Sequence, residues 1–104
     1  MLKNLCVGDK VYIYGEKRPY TVRCRDFRFI ICTKPFNLRH TVMYFIIDLE
    51  YLLRGPDNSV FCSGYETDEQ CFDRLMELRN GEIEVSIRRS VPLDWTVSTK
   101  NDRI

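Results

Sequence analysis

Hydrophobic and polar positions along this chain sort into short alternating segments, and one of them is apolar on both faces. Thr41-Val42-Met43-Tyr44-Phe45-Ile46-Ile47-Asp48-Leu49 is rich in β-branched and aromatic residues and meets its first charge at Asp48. Such a run is expected to be a central strand covered on both sides, running on towards Leu53 and ended by the turn signal Arg54-Gly55-Pro56-Asp57-Asn58. Its neighbours must then supply a partner strand on each edge and a cover on each face.

Those neighbours can be read in order. Leu5 to Lys10 is a tight entry turn into a strand at 11–14, with Val11 and Ile13 on one face. Gly15 to Pro19 is a loop. Tyr20 to Arg25 alternates, with Tyr20, Val22 and Cys24 expected inward and Thr21, Arg23 and Arg25 outward. Asp26 marks a reversal, and Phe27 to Thr33 returns as the next strand. Lys34 to His40 breaks the period and reads as a surface loop, and 59–62 reads as a short strand. Thr67-Asp68-Glu69-Gln70 is a capping box that opens a helix over about 68–80. Cys71, Leu75 and Leu78 form its inner stripe, widened by Phe72 and Met76, and Gly81 closes it. Glu82 to Arg88 alternates as a half-exposed strand that Pro92 ends, and Asp94 to Val97 is placed to dock the tail. The expected fold is α+β: a small, strongly bent antiparallel sheet of five to six strands, SH3-like in its ordering, covered by one helix. Residues 1–97 form a single domain and 98–104 a flexible tail.

The 104 residues are 44% hydrophobic and 30% charged, an ordinary composition for one globular domain. No apolar run approaches the roughly 20 residues of a membrane helix, and no signal-peptide core follows Lys3. The cytoplasm of the host cell is the expected location. The five cysteines are odd in number and show no Cys-x-x-Cys spacing, and His40 is the single histidine. Cys24, Cys32 and Cys71 fall in apolar patterns, which points to reduced core thiols rather than a disulfide framework or a zinc site. The formal charge of +1 conceals an asymmetry. Residues 1–40 carry nine Lys and Arg against Asp9, Glu16 and Asp26, whereas 41–87 carry Arg54, Arg74 and Arg79 against ten acids.

Catalytic signals are weak. A Cys-His or Ser-His-Asp arrangement would need His40 as its base, and His40 stands beside Arg39 with no acid near it in sequence. No phosphate loop, dinucleotide fingerprint or metal motif is present, so neither an enzyme nor a cofactor is expected. Two features stand out instead. Arg23, Arg25 and Arg28 surround the reversal at Asp26, with Lys17 and Arg18 in the preceding loop, and could converge on a phosphate or carboxylate. The alternative is an exposed basic edge that deters strand pairing. The loops flanking the central strand offer Lys34, Phe36 and Asn37 on one side and Arg54, Asp57 and Asn58 on the other. A cation, an aromatic plate and amide or carboxylate groups on one rim would suit a nucleotide; ordinary turn chemistry explains Asp57-Asn58 equally well.

The strings Arg18-Pro-Tyr-Thr-Val22, Ile31-Cys-Thr-Lys-Pro-Phe-Asn37, Thr41-Val-Met-Tyr44, Ile47-Asp-Leu49 and Arg54-Gly-Pro-Asp-Asn58 resemble a group of short proteins of phages and prophages of Firmicutes, over residues 8–93. The resemblance implies a protein that counters bacterial immunity, and the lack of an acid–base pair in the sequence makes a non-enzymatic binding protein the expectation. The first expectation is that it sequesters a nucleotide signal, of cyclic or ADP-ribose type; the competing one is that it caps a host defence protein in the manner of an anti-CRISPR. In the first case Arg23, Arg25 and Arg28 would hold phosphates, Phe36 would stack, and Asp57 and Asn58 would read ribose or base. The alternative from another class is a single-stranded nucleic-acid-binding accessory domain, against which the neutral charge counts. Self-association into a homo-oligomer is expected from the exposed sheet edges and the charge asymmetry.

Overall fold

The apolar run at the middle of the chain pairs along its whole length with the strand before it, from Phe29↔Asp48 to Pro35↔Val42. This ladder is the spine of the computed structural model, which describes residues 4–13, 17–35, 42–55, 61–62, 64–82, 91–92 and 97–99. In chain order the elements are β1 (Lys10–Ile13), β2 (Tyr20–Arg25), β3 (Phe29–Pro35), β4 (Val42–Asp48), β5 (Leu53–Gly55), β6 (Phe61–Cys62), α1 (Asp68–Arg79), β7 (Val91–Pro92) and β8 (Val97–Thr99). Strands β1 to β5 form an antiparallel meander, β7 and β8 extend its two edges, and β6 pairs with β4 beside β5. The fold is a small α+β domain: one curled antiparallel sheet with one helix in the C-terminal half of the chain.

The sheet separates two cores. Leu5, Val11, Tyr20, Val22, Ile30, Cys32, Phe45 and Ile47 pack on one face. Phe29, Ile31, Ile46, Tyr65, Cys71, Leu75 and Leu78 pack on the other, beneath α1. The first face is concave. Tyr20 and Phe45 lie on strands two apart, about 10 Å in a flat sheet, yet their ring centroids are 4.6 Å apart. Curling thus lets one face cover itself while the helix covers the other. Each fully buried Ile, Val or Phe contributes about 1.5–3 kcal/mol, and this two-sided burial makes β3 and β4 the most stabilised part of the sheet.

The helix follows its signals. The Gln70 amide donates to Thr67 Oγ1 at 3.1 Å and the Thr67 amide donates to Gln70 Oε1 at 3.0 Å, completing the capping box. At the other end the Glu82 amide donates to Glu77 O and the Gly81 amide to Leu78 O. This pairing requires the positive φ of 75° that Gly81 supplies. Cys71, Leu75 and Leu78 are buried as expected, but Phe72 is 54% exposed and lies off the core stripe.

Other expectations need correction. The register shifts between Val22 and Cys24, so one extra residue, Arg23, sits in β2 as a bulge. The alternation is reset there. Tyr20 and Val22 face the concave core, whereas Cys24 packs against the helix-side core. Arg23 and Arg25 therefore do not share a face. The chain also reverses earlier than the Gly-Pro signal: β4 ends at Asp48, the turn occupies 49–52 with Leu52 at φ 54°, and Arg54 and Gly55 lie in β5. Lys34 and Pro35 belong to β3 rather than to a loop. Pro92 is the last residue of β7, where it pairs with Leu53, and an edge strand tolerates the missing N–H. Ser98 and Thr99, expected in the loose tail, pair with Tyr12 and Val11 because β1 has an open edge to fill. The expected alternating strand falls on 83–88, outside the described residues, as do 93–96 and 100–104; Glu82 itself closes the helix.

The two helix positions make a direct check. Leu75→Ala should cost about 2–5 kcal/mol in urea unfolding, and Phe72→Ser should stay within about 0.5 kcal/mol of the parent. Equal losses would contradict this assignment of the helix faces.

Candidate functional site at one end of the sheet

Two turns meet where β3 begins and β4 ends, and an aspartate shapes each. At the first, Asp26 Oδ1 accepts from the amides of Arg28 and Phe29, both at 2.7 Å, and the Asp26 amide donates to Phe29 O. At the second, Asp48 Oδ1 accepts from the amides of Glu50 and Tyr51 at 3.0 and 3.4 Å. Aspartate can fold the chain this way because its carboxylate reaches amides two and three residues on. The Leu49 amide donates to Arg28 O at 2.8 Å, which binds one turn to the other.

Arg28 locks the junction. Its Nε and Nη2 donate to the two oxygens of Asp48 at 3.1 and 3.0 Å, and its Nη1 pairs with Glu50 Oε2 at 2.8 Å. Asp48 is only 5% exposed, so this forked pair supplies the compensation that a buried carboxylate requires. The guanidinium also lies 4.6 Å from the Phe29 ring centroid and 5.3 Å from that of Tyr51. Beside it is a hollow of about 620 Å³ lined by Arg25, Phe27, Arg28, Leu49 and Glu50. Phe27 is 84% exposed, Tyr51 65% and Leu52 58%. Three large apolar side chains therefore stand in solvent on two adjoining turns.

The site residues expected from the sequence are dispersed. Arg23 turns to the helix side, where its Nε and Nη2 donate to Asp68 Oδ1 at 2.9 and 2.6 Å and its Nη1 to the buried Thr33 hydroxyl at 3.0 Å. Arg25 reaches the sheet end and donates to the carbonyls of Leu5 and Asp26 at 2.9 and 3.0 Å. Only Arg25 and Arg28 of the three line one hollow; the bulge at Arg23 prevents the expected convergence. Arg54 lies on the concave side, 5.8 Å from the Phe45 ring centroid. Lys34 is 4.7 Å from the Tyr20 ring centroid, and Arg18 donates to Pro35 O at 3.4 Å. Both sit at the opposite end of β3 from Arg28, roughly 20 Å away. Phe36, Asn37, Asp57 and Asn58 lie outside the described residues, as does His40.

Phe27, Tyr51 and Leu52 were absent from the sequence-based site. The signal that could have found them is the aspartate preceding each turn: apolar residues just after a turn-forming Asp are held off the core by the turn itself.

Among the described residues Cys6 is an exposed thiol, and the other three are withdrawn from solvent. Cys32 and Cys71 are buried and Cys24 half-buried. Burial, reinforced by the neighbouring Cys71, pushes the Cys24 thiol up from its ordinary 9.0 to about 12. Burial likewise raises Cys32 and Cys71. Cys24 Sγ donates to Cys71 O and Cys71 Sγ to Tyr65 O, each at 3.3 Å. These protonated, weakly hydrogen-bonded thiols act as small hydrophobes, not nucleophiles. Among the described residues no group of three His, Cys, Asp or Glu is arranged to hold a metal, and no helix is long and apolar enough to cross a membrane.

The raised thiols have a pH consequence. They keep their protons in the folded chain while the unfolded chain loses them from about pH 8.5 upward. Stability from this source is intact below that pH and declines as pH rises towards the folded value. Urea midpoints at pH 7 and pH 10 should fall further for the parent than for a Cys24→Ala, Cys71→Ala double variant; parallel losses would contradict the assignment.

No protein-family model, curated protein or solved structure matches this chain.

Proposed function

We propose that this is a phage-encoded, non-enzymatic binding protein that counters bacterial immunity, and that it does so by capping a defence protein with the end of the sheet. The observation that carries the reading is the exposure of Phe27, Tyr51 and Leu52 around a preformed hollow. Aromatic residues and arginine dominate protein-binding hot spots, because they bury much area at low conformational cost. Arg28, held between Phe29 and Tyr51, adds a fixed planar cation to that surface. The resemblance to short phage proteins supplies the biological setting.

Protein capping is favoured over a nucleotide sponge by the charge arrangement. Arg23 is engaged by Asp68, and Arg28 by Asp48 and Glu50. Carboxylates thus occupy the places that phosphates would take, and Glu50 lines the hollow itself. The same carboxylates disfavour single-stranded nucleic acid, whose binding depends on uncompensated positive charge.

In a defence-bearing host, expression of the chain should raise the plating efficiency of a sensitive phage. A folded Phe27→Ser, Tyr51→Ser double variant should lose at least about tenfold of that gain. Equal protection by both proteins would remove the sheet end from the function, and no gain from the parent would overturn the counter-defence reading. A large thermal shift of the purified protein with a cyclic dinucleotide or an ADP-ribose derivative, unchanged by salt, would move the assignment to the sponge.

A further inference from the structure

The sheet end carries a projection and a recess side by side on one surface. Phe27 stands 84% exposed, and the hollow it borders is also lined by Leu49, Arg25, Arg28 and Glu50. A two-fold axis brings identical patches together, so that whatever one copy projects must fit what the other recesses. This surface meets that condition without any other molecule: the Phe27 ring of each copy can enter the hollow of the other, with Tyr51 and Leu52 closing over the flanks.

The charges on the rim meet the same condition. The lining combines Arg25 and Arg28 with Glu50, whose side chain is 55% exposed. A two-fold pairing can set the Glu50 carboxylate of one copy, which pairs with Arg28 of its own chain, against the guanidiniums of the other, and the reciprocal contact then forms by symmetry. A partner of one charge sign would instead face both signs and repel one of them.

We infer that two copies of the chain pair through this end in a two-fold dimer, each inserting Phe27 into the hollow of the other. The inference builds on the reading of the sheet end as the binding surface and adds its regulation, because the dimer covers the face that a defence protein would meet. The area sets the strength. Phe27, Tyr51 and Leu52 together supply roughly 400 Å² a copy, about half of what a standard interface buries per partner. Such a dimer forms reversibly at high concentration and releases monomers on dilution, so the protein would be self-capped where abundant and available where scarce.

Light scattering of the full chain across a dilution series tests this. The weight-average mass should climb from 12.4 kDa at low micromolar concentration towards twice that near the millimolar range. Phe27→Ser should weaken dimerisation at least about tenfold. Glu50→Arg should weaken it more at low than at high salt, since it sets like charges face to face. Phe72→Ser, exposed in the first half of the helix and outside the lining of the hollow, should leave the mass curve unchanged. Circular dichroism and a cooperative melt establish that each variant is folded. A parent that stays at 12.4 kDa throughout would overturn the inference, and so would a dimer indifferent to Phe27→Ser or broken by Phe72→Ser instead. Mass in solution does not depend on any host component. A dimer without protection against defence therefore refutes the proposed function alone, and protection by a strict monomer refutes this inference alone.

Discussion

The forked pair between Arg28 and Asp48 holds one end of the sheet in shape. Asp48 ends a strand whose second half is buried, and its carboxylate lies almost wholly out of water. Left alone it would be costly; paired with Arg28 and accepting from two amides of the next turn, it becomes the point at which two turns are fixed to each other. The stacking of Arg28 against Phe29 and Tyr51 extends that hold from the backbone to the side chains that face solvent. A sheet end of this kind can present Phe27, Tyr51 and Leu52 without burying them, because the residues that order the turns are different from those that are displayed.

Much of the architecture is legible in the chain itself. The apolar run at 42–48 has no polar face before Asp48, and from Phe45 onward it is buried on both sides, as is most of β3 beside it. Thr67 and Gln70 cap the helix in the manner their spacing requires, and Gly81 closes it. What escaped the pattern has two physical causes. A bulge inserts one residue into β2 without any change in composition, and the alternation of the remaining β2 residues, Cys24 and Arg25, is inverted. This sends Cys24 to the helix side and separates Arg23 from Arg25. The second cause is the aspartate turn. Gly-Pro-Asp-Asn is a louder signal than a lone Asp48, yet a buried aspartate that accepts from its own following amides reverses the chain first, and Arg54 passes from the expected loop into a strand. The arginine cluster was visible as composition and not as geometry, since each guanidinium is drawn to whichever carboxylate or carbonyl the fold places beside it.

Those local partners shape the functional account. Arginines neutralised by Asp68, Asp48 and Glu50 act as planar, rigid contact groups more than as phosphate clamps. Such groups, with the exposed aromatics and the mixed-charge rim, are what the proposed capping of a protein and the inferred pairing of two copies would both use. Neither role calls for a proton relay or an activated nucleophile, and the buried, protonated thiols do not supply one.

The account depends most on the sheet end being a preformed, rigid surface, which backbone ¹⁵N relaxation measures directly on the monomer at low concentration. The amides of Phe27, Arg28, Glu50 and Tyr51 should show order parameters near about 0.85, matching β3 and β4. Values below about 0.6 at these turns, with the strands remaining rigid, would contradict it: the hollow would then be one conformer among many, and neither the capping surface nor the two-fold dimer would have a fixed shape to act through.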